Sequence, residues 1–139
     1  MGAASWASEF IGIPFVPGGR TREGADCWGL VCLVYQQVYA ITLPAYPIAW
    51  SSRADWPRLT EAIEQGRRDW TPIARETAML GDAVVLAIAG APLHVGIVAG
   101  TDPLRMLHAE QGIETCLERL DSIIWARRIA GFYRWRGQA

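Results

Sequence analysis

Three residue positions in this chain combine into a nucleophile, a base and a group to orient the base. They are Cys27, in the run Gly24-Ala25-Asp26-Cys27-Trp28-Gly29-Leu30-Val31, and the only two histidines, His94 and His108. A thiol becomes a competent nucleophile when an imidazole takes its proton and a third group fixes the imidazole's ring plane and tautomer. A catalytic cysteine is usually remote in sequence from its histidine and meets it only through the fold. The order Cys27, His94, His108 has that form.

The elements around these residues are expected to position them. Asp26 is a good N-cap, which starts a helix at Cys27 and places the sulfur in a first turn whose unpaired N–H groups favour negative charge. The thiol is therefore expected to ionise more easily than a free cysteine, whose pKa is about 8.5, and the Cys27 backbone N–H is a natural oxyanion donor. From Cys27 to about Ala40, Leu30, Val31, Val34, Tyr35 and Val38 recur at helical spacing, and so many flanking positions are apolar that the helix is expected to be buried. Its packing face carries the sulfur toward its partner, the sheet.

After Gly81-Asp82 the pattern changes to strands, expected at 83–89, 93–99, 104–110, 113–118 and 129–135. Alternation puts His94 on one face with Gly96 and Val98, and His108 with Met106 and Glu110. A hairpin with Val98 opposite Leu104 and a loop of Ala99 to Pro103 sets His94 directly across from His108. Glu110 is the alternative orienter, and Gly96 leaves room beside His94. A short helix over 3–11 and an amphipathic helix over 55–66 complete an α+β chain, its helices first and an antiparallel meander curling toward a small barrel second.

Bulk properties bound the rest. With 139 residues, 51% of them hydrophobic, one domain spanning residues 1–139 is expected. A net charge of −1 carries no nucleic-acid footprint. All thirteen basic residues are arginine, which removes lysine Schiff-base chemistry and Gly-Lys-Ser/Thr phosphate loops. The longest apolar run, Ala83 to Leu93, is broken by Gly90 and Pro92 and is too short for a membrane span. The N-terminus does not read as a secretory signal, so cytoplasmic synthesis without export is expected.

Cys27, Cys32 and Cys116 cannot all pair and match no metal spacing; Cys32 and Cys116 read as small core residues. A zinc ion held by Cys27, His94 and His108 is the weaker reading of that set, and no metal or cofactor is expected. Most of the seven tryptophans read as core, with Trp28 and Trp50 the candidates for lining a cleft.

Five blocks, 12–19 (Gly-Ile-Pro-Phe-Val-Pro-Gly-Gly), Asp26-Cys-Trp-Gly-Leu-Val31, Leu80-Gly-Asp-Ala-Val-Val-Leu86, His94-Val-Gly-Ile-Val-Ala-Gly100 and Leu107-His-Ala109, resemble in this order the NlpC/P60 cysteine peptidases. They are most similar to the branch found in phage tails and gene-transfer agents. The resemblance implies a papain-like α+β fold with Cys27, His94 and His108 as the catalytic triad. It also implies hydrolysis of peptidoglycan stem peptides, typically between γ-D-glutamyl and a diamino acid. Delivery inside a phage-like tail, with tail or baseplate hub proteins as partners and the target cell's periplasm as the place of action, follows from the branch. Phe15 stands where many relatives carry tyrosine, so a hydroxyl that helps bind substrate or oxyanion is missing; Trp28 replaces the usual serine and fits the tail-associated branch. Asp26, Trp28, Phe15 and Glu110 are the further candidates for substrate or oxyanion contacts. The rival reading is a structural tail-tip subunit that keeps the fold with little activity.

Overall fold

The computed structural model describes residues 3–44, 65–88 and 91–137. The helix expected over 55–66 falls almost wholly outside them, as does Trp50. Near the N-terminus Ala7–Phe10 form one turn of 3-10 helix, shorter than the expected 3–11. A hairpin of β1 (Arg20–Thr21) and β2 (Gly24–Ala25) then delivers the chain to helix α1 (Cys27–Tyr39).

Asp26 starts α1 as its composition demands. Its backbone is extended and one carboxylate oxygen accepts the Gly29 N–H at 2.7 Å, satisfying a donor that the first turn leaves unpaired. The other oxygen accepts the Gly18 N–H at 2.8 Å, which ties the glycine-rich turn to the helix start. Gly29 has to be glycine here, because a Cβ would come within 1.8 Å of the Gly19 carbonyl oxygen. Every residue from Cys27 to Tyr35 is buried.

Six strands follow: β3 (Trp70–Ile73), β4 (Ala83–Ile88), β5 (Ala91–Gly100), β6 (Arg105–Glu110), β7 (Ile113–Arg119) and β8 (Ile129–Trp135). They pair antiparallel in the order β3-β8-β4-β5-β6-β7. The sheet is open and does not close into a barrel, and β8 does not continue the meander beside β7. It returns to lie between β4 and β3. The β7–β8 connection crosses one face of the sheet and buries Leu120 and Trp125 there. Strand β3 was not legible; it is an edge strand of four residues containing Pro72, which has no N–H to give a central ladder.

The two faces of the sheet are packed by different elements. On one, α1 residues such as Leu30, Val31 and Val34 cover Val95, Ile97, Ala99, Leu107 and Ala109. Each of the valines, leucines and isoleucines among them contributes about 1.5–3 kcal/mol on full burial. On the other, Leu120 and Trp125 cover Val84, Leu86, Val98, Met106 and Phe132. Alternation places His94 and His108 with Val98 and Met106, on this second face. The helix therefore packs on the face opposite the imidazoles, which corrects the expectation that its packing face alone brings sulfur and sheet histidines together. Among the described residues no helix is long and apolar enough to cross a membrane.

Candidate active site

The sulfur reaches the histidine strand through a gap in the ladder. Val98 donates its N–H to Asp82 on the β4 side, so by the two-residue period of a strand Val95 directs its N–H toward β6. The β5–β6 pairing runs only from Gly100↔Arg105 to Ile97↔Leu107, and His94, Val95, His108 and Ala109 lie beyond its end. There the Val95 N–H, lacking a β6 carbonyl, hydrogen-bonds the Cys27 sulfur. The helix start thus meets the residue next to His94 in the plane of the sheet.

The expected easy ionisation is not found. Complete burial, and then the adjacent Asp26 carboxylate, push the Cys27 thiol up to about 12, although the N–H groups of Val95, Trp28 and Cys27 favour the thiolate. The residue that caps the helix also repels the charge its first turn attracts. Burial outweighs the hydrogen bonds from Gly29 and Gly18 at Asp26 itself, raising that carboxyl. Burial and then the neighbouring His108 lower His94 to about 3. Both partners are held neutral at rest.

The histidines are joined, by a different register from the expected one. Val98 faces Met106 and Ile97 faces Leu107, two residues on from Val98 opposite Leu104, and the loop is Thr101–Leu104. A shift of two preserves the face, so His108 stays with His94 but sits across from Gly96. The Cβ that Gly96 lacks would lie 3.4 Å from the His108 Cβ and 2.8 Å from the Met106 sulfur, so the space at Gly96 belongs to the second histidine. From there His108 Nδ1 reaches His94 Nε2 diagonally at 2.8 Å. Trp125, which the sequence did not single out, stacks on His94 at 5.7 Å between centroids and meets His108 edge-on at 5.1 Å.

A third member of this row is Glu118 on β7, whose Oε2 lies 2.5 Å from His108 Nε2. Burial opposes its ionisation, but the hydrogen bond to His108 prevails and its carboxyl is lowered. The Trp125 indole N–H approaches Glu118 without forming a well-made hydrogen bond of its own. A carboxylate only accepts, so His108 Nε2 carries the ring hydrogen. In the neutral ring Nδ1 is then a lone pair that accepts from His94 Nε2–H, and His94 is left with an unprotonated Nδ1, the form a general base requires.

Glu118 was hidden by a bulge. A plain hairpin around Gln111-Gly112, continued from Glu110↔Ile113, would pair His108 with Thr115 and turn Cys116 and Glu118 to the other face. The register shifts between His108 and Glu110 instead, giving His108↔Cys116 and Met106↔Glu118. Glu110, the alternative orienter, is not in the row; His108 itself holds His94. Cys32 is buried in the core as expected, whereas Cys116 is not a core residue. Its sulfur lies 3.6 Å from both His108 Nε2 and Glu118 Oε2. Trp28 is buried, donates its indole N–H to the Pro44 carbonyl at 3.3 Å and packs edge-on to Trp70, a structural position and not a cleft wall. Phe15 is half-buried against the core and bridges to Ala25 next to the helix start.

Comparison with known proteins bears on this arrangement. The chain is 30% identical over 132 residues to the Gamma-DL-glutamyl hydrolase of Bacillus subtilis, covering 93% of this chain and 28% of that protein. It is 28% identical over 124 residues to a probable endopeptidase NlpC homolog of Haemophilus influenzae, covering 89% of this chain and 56% of the relative. The chain thus spans between about a quarter and about half of these two relatives' lengths. The solved NlpC/p60 domain of the peptidoglycan hydrolase SagA superposes with a TM-score of 0.61 at 25% identity, covering 92% of this chain and 91% of that one. An NLP/P60 family lipoprotein-like structure from Staphylococcus aureus gives 0.64 at 26%, over 93% of this chain and 38% of the other. Residues 12–134 match the profile of the NlpC/P60 family, and this chain belongs to that family.

Proposed function

We propose that this chain is a cysteine endopeptidase that cleaves peptidoglycan stem peptides, with Cys27 as nucleophile, His94 as base and His108 as the group that orients it. The observation that carries the reading is the directed row Glu118–His108–His94, which leaves a lone pair on His94 Nδ1 next to the residue whose N–H holds the sulfur. In the first step Nδ1 takes the thiol proton as sulfur attacks the scissile carbonyl carbon. The resulting imidazolium protonates the leaving amine, the C–N bond breaks, and a thioester remains. Water, deprotonated by His94, then attacks the thioester carbonyl, the C–S bond breaks, and the proton returns from His94 to the Cys27 sulfur. Because both resting groups are neutral, proton transfer accompanies attack. His108 and the Glu118 charge stabilise the imidazolium as it forms.

The Bacillus relative is named a gamma-DL-glutamyl hydrolase and the Haemophilus one a probable endopeptidase, which supports the bond between γ-D-glutamyl and a diamino acid as the target. Trp28 directly after Cys27 supports assignment to the phage-tail and gene-transfer-agent branch. In that setting tail hub proteins are the partners and the target cell's periplasm is the site of action. Digestion of isolated peptidoglycan by the purified chain, with mass spectrometry of the products, tests both activity and bond. Wild type is expected to release fragments ending in γ-glutamate, and Cys27→Ala to lose at least about 10³-fold in rate. Equal rates for the two would instead favour a structural tail-tip subunit.

A further inference from the structure

The mechanism gives Cys116 no part, yet this thiol stands on the same face as the relay, against its far end. We propose that His108 Nε2, Cys116 Sγ and Glu118 Oε2 form a binding site for zinc or a zinc-like divalent cation, and that the bound ion switches off His94. The three atoms are 3.6, 3.6 and 2.5 Å apart. A tetrahedral zinc with bonds of about 2.0–2.3 Å has sulfur–nitrogen and sulfur–oxygen edges of about 3.6 Å and a nitrogen–oxygen edge of about 3.3 Å. Two edges are already in place, and the third opens when the Glu118 carboxylate trades its hydrogen bond for the metal.

The donor set selects the ion. One thiolate, one imidazole and one carboxylate suit a borderline-soft cation, and magnesium and calcium prefer oxygen alone. The ring is fixed, since His108 is 1% exposed and Trp125 lies against it, while the Glu118 side chain is 32% exposed and offers a route from solvent. A water completes the coordination from that side.

Binding would rewrite the relay. The Cys116 S–H bond breaks, a sulfur–metal bond forms, and one proton leaves to solvent. The metal takes the Nε2 lone pair of His108, so that ring's hydrogen must sit on Nδ1. The proton in the His94–His108 hydrogen bond therefore passes from His94 Nε2 to His108 Nδ1. The former Nε2 proton of His108 is released, and His94 takes one up at Nδ1. The count on the two rings is unchanged, but the atom that should accept the Cys27 proton is now a donor.

The inhibitory consequence rests on the peptidase reading; the site itself does not, and the test separates them. Cobalt(II) is titrated into Cys27→Ala, which removes the thiol beside the His94 strand, while the buried Cys32 is common to both variants. A thiolate-to-cobalt charge-transfer band is expected there and is expected to vanish in Cys27→Ala/Cys116→Ala, with both variants checked for native fold by circular dichroism. No band in the first, or a persisting band in the second, overturns the site. In peptidoglycan digestion, zinc is expected to inhibit wild type reversibly and to require at least ten times the concentration on Cys116→Ala, whose rate without metal is that of wild type. Equal sensitivity of the two overturns the switch. If wild type digests nothing, the peptidase reading fails while the cobalt result still decides the site.

Discussion

The two faces of the central sheet are built by the same alternation and do opposite work. Under α1, Val95, Ile97, Ala99, Leu107 and Ala109 present only hydrocarbon, and the helix that covers them is apolar nearly all round. Under the β7–β8 connection, an apolar patch of Val84, Leu86, Val98, Met106 and Phe132 borders a polar row of His94, His108 and Glu118. The first face is specified by buried area, which is non-directional and tolerates sliding. The second is specified by hydrogen-bond direction, where one tautomer or one residue of register decides whether the His94–His108–Glu118 row forms. Packing therefore holds the cysteine in position, and the polar row orients the His94 ring. The sulfur sits where the two meet, in the gap beyond Ile97↔Leu107.

This contrast breaks most plainly at Leu107, fully buried on the helix face. Leu107→Ala is expected to cost about 2–5 kcal/mol of stability by denaturant unfolding while leaving kcat per folded molecule within about twofold. A comparable loss of kcat would mean that the faces are not separable. The converse change is Glu118→Gln, which keeps volume but removes the charge that fixes the His108 tautomer. A fall in kcat of about 10–100-fold with KM and melting temperature nearly unchanged is expected, and an unaltered kcat would remove Glu118 from the relay.

The junction itself is probed by alkylation. A thiol pushed up to about 12 holds far less thiolate at neutral pH than an unperturbed one, so iodoacetamide should label Cys27 at least about tenfold more slowly than a free cysteine at pH 7. Because the thiolate is the reacting species and its fraction rises with pH below the pKa, the rate should climb about tenfold per unit from pH 7 to 10. A fast plateau from pH 5 to 8 would reveal a thiolate–imidazolium pair instead. The smallest effect is expected at Gly96→Ala, whose added methyl meets the buried Met106 sulfur at 2.8 Å and the Leu107 carbonyl oxygen at 3.1 Å. About 1 kcal/mol of destabilisation is expected, accompanied by a shifted His108 ring signal in NMR spectra.

Much of this was legible because it is local. The Asp26 cap and the apolar run fix α1 from Cys27 onward, Gly and Pro mark the strand ends, and β8 falls on the expected 129–135. The family blocks carry the fold class. What escaped depends on partners distant in the chain. Strand β3 exists because β8 returns to it, and the helix chose the hydrocarbon face over the histidine face. The thiol's resistance to ionisation comes first from complete burial, which only the assembled fold provides, and then from the adjacent Asp26 carboxylate.

By itself the sequence determined which side chains share a side of each strand and where the helix begins, because pleat and cap follow from bonds within a few residues. Only the tertiary structure decided the register. A slip of two leaves every face unchanged and so leaves no trace in the alternation, while a one-residue bulge inverts the faces and brought Glu118 and Cys116 to the histidines. The observed slip and bulge come with the fit of Met106 and His108 over a bare Gly96 and of Trp125 over both rings, contacts that exist only once the sheet is assembled.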